Sequence, residues 1–441
     1  MRRPLIVSNF SCVVAGLMIM APMLSAQSPP RAQSTANVLK AGMDPERLPR
    51  IPARMKEFVD KRTIAGAVML VARHGVVASL DAVGYQDLET KTPMRTDAIF
   101  QIRSMTKPVT AVAIMILLEE RRLLLNDPVE KHLPEFRGQM VREGDSVLNL
   151  KKPSRRITIA DLLTHTSGMW GDAATRPGPV PVRVTEPVRA KTLAQSVSAN
   201  AQEPLEFDPG TKFLYSGYGF STLGRIIEVV SNQTYEEFIE RRILRPLEMK
   251  DSFFFPPPEK YNRIAAVYDL RNGKVEKHVF RGSEDPRTPD WQKPGAGNAY
   301  RARMNYAWPA GGMFSTAPDM FAFHQMMLNG GIYNGVRILS RASVEAMTSL
   351  QTAELVTMGT MDGPFGVDGA GWGLGWTVIR KPVGPAASYS VGTFNHGGDR
   401  GTVGLVDPKR DVVCLFMMQR TPAQMEEVSL FLTLAAAAIL D

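Results

Sequence analysis

The sequence predicts an α/β fold in which an antiparallel sheet flanked by helices is built from both ends of the chain, with a helical part inserted between them. Two strand-like segments joined by a tight turn lie near the amino-terminal end, at 65–72 and 76–83. More strand-like segments lie near the carboxyl-terminal end. The pattern in the middle of the chain, from about 105 to 290, instead predicts helices with long loops. With 441 residues, the chain is long enough for both parts.

Each element follows from its local pattern. The two amino-terminal strands meet at Arg73-His74-Gly75, a short turn with a glycine that suits a hairpin. The carboxyl-terminal strands are predicted at 373–380, 388–395, 401–407 and 411–418. Helices are predicted at 50–61, 159–163, 219–230, 235–244, 318–328 and 423–440.

The first residues differ in composition from the rest of the chain. A basic start, an apolar stretch at 13–24 and small residues before Gln27 are the three parts of a secretory signal peptide. We therefore expect residues 1–26 to be a signal peptide and the protein to be exported, either periplasmic or secreted. Pro22 interrupts a stretch that is already short for a bilayer, so an uncleaved anchor is disfavoured. We expect no stable membrane span after cleavage.

The remaining chain divides into a short polar segment and one folded domain. Residues 27–44 are polar with few signals of order, and we expect a flexible lead-in there. We assign residues 45–441 to the folded domain. Its α/β part takes about 45–103 and 304–441, and its helical part about 104–303. Since ligand sites favour the cleft between two such parts, we expect the active site there.

Composition and charge argue against several classes of function. The formal net charge is +8, but the basic residues are scattered without a basic block, so we expect no nucleic-acid partner. The six histidines are never within five residues of one another, and the sequence offers no local metal cage. We expect neither a metal nor another cofactor. Cys12 falls in the predicted signal peptide, which leaves Cys414 without an internal disulfide partner. The oligomeric state is left open.

One stretch, Ser104-Met105-Thr106-Lys107, precedes a long apolar segment at 109–118. Because Pro108 is tolerated only in the first turn of a helix, the helix should begin at or just before Ser104, where free N–H groups favour developing negative charge. Residues three apart share a helix face, so Lys107 can lie beside the serine oxygen. Burial lowers the pKa of an amine, and a neutral lysine can take the serine proton. Alone, the tetrapeptide could equally be a capping serine followed by a solvated lysine.

Two further elements carry functional residue types. Tyr215 precedes the helix predicted at 219–230, and a phenol close to an ammonium group could act as a general base. A tyrosine on such a loop could also serve packing alone. His396-Gly397-Gly398 ends the strand predicted at 388–395. Glycines there let a substrate approach the strand edge, and a backbone N–H can then serve as half of an oxyanion hole. On its own, this tripeptide indicates only a turn.

Taken in this order, the three elements resemble those of the serine β-lactamase-like hydrolases, which include class C β-lactamases, D-alanyl-D-alanine carboxypeptidases and family VIII carboxylesterases. Ser104–Lys107 matches S-x-x-K, Tyr215-Ser216-Gly217 occupies the Y-x-N position, and His396-Gly397-Gly398 occupies the K-T-G position. Two connecting signatures, Asp161–Gly168 and Ala310–Asp319, also recur. The resemblance covers about residues 45–441 and implies a β-lactamase-like fold.

The resemblance also implies a role for each matched residue. Ser104 would be the acylated nucleophile, Lys107 its proton partner, and Tyr215 the base and the proton donor to the leaving group. The backbone N–H groups of Ser104 and Asp399 would form the oxyanion hole. The residues expected to border the substrate on this strand are His396, Gly397, Gly398 and Asp399.

Two positions depart from the family pattern. Gly217 stands where the family has asparagine, so a carboxamide that contacts the substrate amide is missing. His396 stands where the family has the lysine of K-T-G, so a fixed charge that would steer a substrate carboxylate is missing. Both changes favour an esterase over a β-lactamase.

We therefore expect an exported serine hydrolase that forms an acyl-enzyme on Ser104 and acts as a carboxylesterase of small acyl esters. Two enzymatic alternatives stay open: a D-amino-acid peptidase or carboxypeptidase acting on peptidoglycan fragments, and a class C-like β-lactamase. An alternative of a different class is an inert relative that binds cell-wall peptides. The presence of Ser104, Lys107 and Tyr215 together argues against it.

Overall fold

The computed structural model describes residues 34–144, 149–171, 192–278, 306–352, 355, 369–384, 387–422 and 425–440. The signal peptide predicted at 1–26 and the first part of the lead-in segment lie outside the described residues. The predicted border near 303 between the helical and α/β parts also lies outside them.

The helices predicted from the sequence are all found in the described residues, together with four short helices that were not predicted. The 3₁₀ turn Arg103–Met105 runs directly into the third helix, and the π-helical turn Glu240–Leu244 continues the eighth. The helices are α1 (Thr35–Lys40), α2 (Arg50–Asp60), α3 (Thr106–Glu119), α4 (Val129–His132), α5 (Ile159–Leu163), α6 (Leu193–Asn200), α7 (Gly217–Ser231), α8 (Tyr235–Ile239), α9 (Ala317–Leu328), α10 (Arg341–Thr348) and α11 (Met425–Ala437).

The strands in the same residues form one large sheet and several small ones. The strands are β1 (Gly66–Arg73), β2 (Val76–Asp87), β3 (Thr92–Pro93), β4 (Phe100–Gln101), β5 (Val141–Arg142), β6 (Leu150–Lys151), β7 (Tyr268–Arg271), β8 (Lys274–Lys277), β9 (Phe314–Ser315), β10 (Ile332–Tyr333), β11 (Val336–Arg337), β12 (Ala370–Trp372), β13 (Thr377–Ile379), β14 (Phe394–Gly397), β15 (Val403–Asp407), β16 (Val412–Met417) and β17 (Arg420–Thr421).

The large sheet joins the two ends of the chain. Its eight antiparallel strands run in the order β12-β13-β14-β15-β16-β1-β2-β3. The amino-terminal hairpin meets the carboxyl-terminal strands where β1 pairs with β16, for example at Leu70 opposite Leu415. The α/β fold with an antiparallel sheet contributed by both chain ends is therefore confirmed.

Strand β1 separates two apolar cores because successive side chains point to opposite faces of a strand. Val68 and Leu70 belong to the larger core, which contains α3, α7 and α9. Met69 and Val71 belong to the second core, on the face covered by α2 and α11. All eight residues of β1 are buried, as expected for a central strand covered on both sides.

Helix α3 lies inside the larger core. Its residues are buried without a break from Thr106 to Leu117, which explains why this segment is apolar around its whole circumference. It packs against α7 and α8. The fold thus holds the residues at the start of α3 against a rigid interior.

Two predicted strands are shorter than the sequence suggested. Of the strand expected at 373–380, only β13 forms, because residues 373–376 make the turn between β12 and β13, in which the Gly373 N–H donates to the Trp376 carbonyl oxygen at 2.8 Å. The strand expected at 388–395 begins only at Phe394, because Gly392 has φ +88° and ends a turn. His396 consequently lies within β14 and not beyond its end.

The prediction of a flexible lead-in at 27–44 is wrong for its second half. Residues 35–40 form α1, capped by Ser34, and the side chains of Val38 and Met43 are buried in the second core. Met43 also forms a β-bridge with Ile439. Residues 35–44 are ordered because they pack against the last helix and the residues that follow it. Local composition does not reveal this contact.

A hairpin within the helical part was missed. Strands β7 and β8 meet at Asn272-Gly273, whose φ angles of 50° and 74° suit the two-residue turn that this dipeptide favours. Strand β17 pairs in parallel with β7 and ties this hairpin to the carboxyl-terminal strands. Across the described ranges, no helix is both long and apolar enough to cross a bilayer.

Candidate active site

Ser104 lies in the 3₁₀ turn that leads into α3, as the position of Pro108 predicted. Two hydrogen bonds of Thr106 hold this turn. Its Oγ1 donates to the Arg103 carbonyl oxygen at 2.7 Å and accepts from the Met313 N–H at 3.2 Å. Ser104 itself is half-buried, so the residue keeps some contact with solvent.

Lys107 is the buried partner of Ser104. It is the second residue of α3 and is only 2% exposed. Its Nζ donates to Ser104 Oγ at 3.0 Å and to the Ala310 carbonyl oxygen at 2.8 Å. Ala310 opens the second connecting signature, so that signature positions the lysine. The prediction that Lys107 lies beside the serine oxygen is confirmed, and the alternative of a solvated lysine is excluded.

Tyr215 lies beside Lys107. Its ring centroid is 4.7 Å from Lys107 Nζ, and that of Phe220 is 5.8 Å away. The loop that carries Tyr215 is fixed by Ser216, whose Oγ caps α7 by accepting from the Gly219 N–H at 3.0 Å and donates to the Trp170 carbonyl oxygen. The structure therefore brings together all three residues that the sequence singled out.

His165 holds the tyrosine loop, a role that the sequence analysis missed. It is fully buried, and its Nδ1 accepts from the Ser216 N–H at 2.9 Å while its carbonyl oxygen accepts from the Leu214 N–H at 2.9 Å. Its ring centroid lies 4.4 Å from that of Tyr215. Burial, and then the positive charge of Lys107, lower the pKa of His165 well below its ordinary value. The available signal was its place in the first connecting signature.

Aromatic rings line the rest of this wall. Trp372 on β12 lies with its ring centroid 4.8 Å from that of His165, 5.8 Å from that of Tyr215 and 5.6 Å from that of His396. Its indole Nε1 donates to the Leu163 carbonyl oxygen at 3.1 Å. The tyrosine, both histidines and the tryptophan thus form one packed group of rings beside Lys107.

His396 faces this group from β14. The residue is 4% exposed, and its Nδ1 donates to the Gly397 carbonyl oxygen at 2.8 Å. Burial and then the charge of Lys107 lower the pKa of His396 to about 3. The imidazole is therefore neutral at physiological pH. The sequence predicted an uncharged His396 from its ordinary pKa, and burial makes that neutrality much firmer.

Gly398 lets the following loop approach the nucleophile. Its N–H donates to the Thr402 carbonyl oxygen at 2.7 Å, and a Cβ at this position would collide with the Ile102 carbonyl oxygen. Thr402 Oγ1 also donates to that oxygen, at 3.1 Å. The segment that carries Asp399 therefore lies directly against the turn that carries Ser104. Among the described residues, the backbone N–H of Asp399 donates to no backbone acceptor.

Gly217 closes the loop after Tyr215. Its N–H donates to the Gly171 carbonyl oxygen at 2.8 Å, and a Cβ added at Gly217 would lie 3.1 Å from the same oxygen. The missing asparagine side chain is thus accompanied by a tight backbone contact. As for metals, the part of the chain that the structure describes contains no cluster of three His, Cys, Asp or Glu residues that could hold an ion.

Comparison with known proteins gives the family. The family model Beta-lactamase matches residues 51–438, so the chain belongs to the beta-lactamase family. Its fold and the pairing of a serine with a buried lysine make it a serine hydrolase.

Individual relatives are similar to this chain at modest sequence identity. The esterase EstB of Burkholderia gladioli is 29% identical over 376 residues, which cover 81% of this chain and 86% of that protein. A protein of Escherichia coli K12 proposed to be a D-alanyl-D-alanine carboxypeptidase is 25% identical over 389 residues, covering 86% of this chain and 84% of that protein. The structure of EstCE1, a hydrolase with promiscuous acyltransferase activity, is similar with a TM-score of 0.71 at 23% identity, covering 92% of this chain and 99% of that one.

Proposed function

We propose that the protein is an exported carboxylesterase that hydrolyses small acyl esters through an acyl-enzyme on Ser104. The observation that carries the proposal is the 3.0 Å hydrogen bond between Lys107 Nζ and Ser104 Oγ, made by a lysine buried against α3. Because burial disfavours the charged form of an amine, this lysine is suited to exchange a proton with the serine.

In the first half of the reaction, Ser104 Oγ bonds to the ester carbonyl carbon while its proton passes to the pair formed by Lys107 and Tyr215. The negative charge on the carbonyl oxygen is held by the backbone N–H groups of Ser104 and Asp399. The intermediate then collapses, the bond to the alcohol oxygen breaks, and the alcohol leaves with a proton from Tyr215. Water next attacks the acyl carbon by the same route and releases the acid and the free serine.

Three features support an ester as the substrate. His396 is buried and neutral, so this position supplies no cation for a substrate carboxylate. Gly217 supplies no side-chain donor or acceptor for a substrate amide. EstB, which is named an esterase, is related over most of this chain at 29% identity. An ester also has a better leaving group than an amide and depends less on a proton donor.

The relative in E. coli favours one alternative, a D-amino-acid peptidase or carboxypeptidase. One substrate panel separates the two. We expect p-nitrophenyl acetate and butyrate to be hydrolysed with much higher kcat/KM than a D-alanyl-D-alanine peptide, benzylpenicillin or a cephalosporin. Ser104→Ala should abolish turnover, whereas Ser349→Ala, at an exposed serine that ends α10, should leave it unchanged. Peptide or cephalosporin turnover equal to ester turnover would contradict the esterase proposal.

Export is proposed on the composition of the first 26 residues alone. If the protein is exported by cleavage of a signal peptide, the mature chain recovered from the periplasm or medium should begin at Gln27. Recovery of the intact amino terminus in the cytoplasm would contradict this.

A further inference from the structure

A pair of opposite charges lies next to the nucleophile. Arg103 immediately precedes Ser104, and its Nε donates to Asp399 Oδ1 at 3.0 Å while its Nη2 donates to Oδ2 at 3.4 Å. Two parallel bonds of this kind fix the orientation of both groups. The guanidinium also lies 5.2 Å from the ring centroid of Trp308. The arginine is therefore held in one place beside Ser104.

Both side chains of the pair are partly exposed to solvent. The Arg103 side chain is 22% exposed and that of Asp399 is 58% exposed. The contacts of Gly398 and Thr402 with the Ile102 carbonyl oxygen bring the Asp399 backbone against the serine turn. A substrate bound at Ser104 would consequently experience the charges of both side chains.

Asp399 stays ionised near neutral pH. Desolvation alone would raise the pKa of Asp399, but the charges of Arg103, Arg400 and Lys107 outweigh it, and the pKa is lowered. Its carboxylate thus compensates the arginine beside the nucleophile. The neutral His396 adds no charge of its own on β14.

We propose that Asp399 is a specificity-determining residue: by neutralising Arg103 beside Ser104, it disfavours substrates that carry a carboxylate near the scissile bond and favours uncharged esters. The inference rests on the proposed esterase function and deepens it by naming the class of ester. Removing the carboxylate would take one negative charge away from beside Arg103 and Ser104, and the more positive site would attract an anionic acyl chain.

The test compares two esters that differ in charge, p-nitrophenyl butyrate and the p-nitrophenyl monoester of glutaric acid. Asp399→Asn keeps the size of the side chain and the backbone N–H. In this variant, kcat/KM for the anionic ester relative to the neutral one should rise roughly three- to tenfold, the size expected for one unit charge several ångströms away in a solvated cleft. The gain should come mainly from KM and should shrink at high salt.

Arg103→Gln provides a second, independent variant. It removes one positive charge from beside Asp399, so the same ratio should fall below that of the wild type, the opposite direction to Asp399→Asn. The double variant should return the ratio close to the wild-type value, because one charge of each sign is then removed.

Asp60→Asn is the matched control. Asp60 is equally exposed, at 59%, and its carboxylate is likewise paired with a cation, with Lys56 Nζ at 2.6 Å, but it lies on α2 behind the sheet. It should not change the ratio. If Asp399→Asn and Arg103→Gln lower kcat for both esters by the same factor and leave the ratio unmoved, the pair only braces the loop and the inference is overturned. If the wild type hydrolyses neither ester, it is the proposed function that has failed.

Discussion

Lys107 Nζ lies 3.0 Å from Ser104 Oγ and 2.8 Å from the Ala310 carbonyl oxygen, and these contacts join the start of α3 to a loop about two hundred residues further along the chain. The position of Lys107 is thus fixed by a contact with a distant part of the chain as well as by its own helix. Its ammonium group also faces the Tyr215 ring. We infer that the serine, the lysine and the tyrosine work as one unit.

Lys107→Arg should therefore destroy activity although it keeps the positive charge. A guanidinium group does not give up its proton near neutral pH, so it cannot accept one from serine. Loss of one member of such a unit typically lowers turnover by about 10³–10⁶-fold, and the losses from separate substitutions do not add. The measurement is kcat on p-nitrophenyl butyrate, with the exposed Lys56→Arg as the control. Activity within roughly tenfold of the wild type would correspond to a lost ancillary contact and would remove the proton-transfer role.

His165 should matter through the acceptor that it offers to the tyrosine loop. His165→Asn keeps an acceptor near the position of Nδ1 and tolerates the backbone φ of +59°. His165→Leu loses the acceptor and leaves the Ser216 N–H unpaired. We expect His165→Leu to lower kcat on the order of 10²-fold, as for a reacting group displaced by about 1 Å, and His165→Asn to recover much of that loss. Equal kcat values in the two variants at matched melting temperatures would show that the acceptor is not what positions Tyr215.

Buried histidines should make the fold sensitive to acid. Burial lowers the pKa of His324 from 6.5 to about 4. Between these values the unfolded chain binds more protons than the folded protein, so stability rises with pH across this window and is lost as pH falls. For His324 alone we expect a loss of roughly 2 kcal/mol between pH 7 and pH 4.5. Asp319 acts in the opposite direction, because burial raises its pKa to about 6.

The measurement is urea unfolding at the two pH values, for the wild type and for His324→Gln. The substituted side chain does not titrate, so the free energy of unfolding should depend less steeply on pH in the variant, whatever its absolute stability. Identical pH slopes would mean that His324 binds its proton as readily in the folded protein as in the unfolded chain.

The double change Gly217→Asn with His396→Lys should narrow the gap between ester and cephalosporin turnover, because it restores the amide contact and the cation that the family uses. The structure adds a condition to this prediction. A side chain at position 217 crowds the Gly171 carbonyl oxygen, and a lysine at 396 enters a site that is 4% exposed. We therefore expect a lower melting temperature in the double variant together with a higher ratio of cephalosporin to ester kcat/KM. An unchanged ratio in the folded double variant would show that these two positions do not set the preference.

The elements of the site could be predicted from the sequence because each carries a strong local signal. Pro108 and the apolar run after it placed the start of α3. The helices predicted at 159–163 and 318–328 begin where Thr158, in a capping box with Asp161, and Thr316 cap α5 and α9. The Asn272-Gly273 turn is an equally clear local signal, although the hairpin there was not predicted.

Other features depend on contacts between distant residues, and no local pattern reports them. The order of residues 35–44 comes from packing against the last helix, and the pairing of Arg103 with Asp399 joins two loops. The same holds for His165, whose acceptor role appears only when Ser216 is brought to it. Turns at Gly375 and Gly392, both with positive φ, make two strands shorter than the sequence composition predicted.

The most direct test of the central claim is to trap the acyl-enzyme. The protein is mixed with p-nitrophenyl butyrate, quenched with acid during turnover, digested and analysed by mass spectrometry. We predict a single butyryl group on the peptide that contains Ser104, attached to Ser104, and none in Ser104→Ala. A butyryl group on another residue, or full ester turnover by Ser104→Ala, would contradict the account.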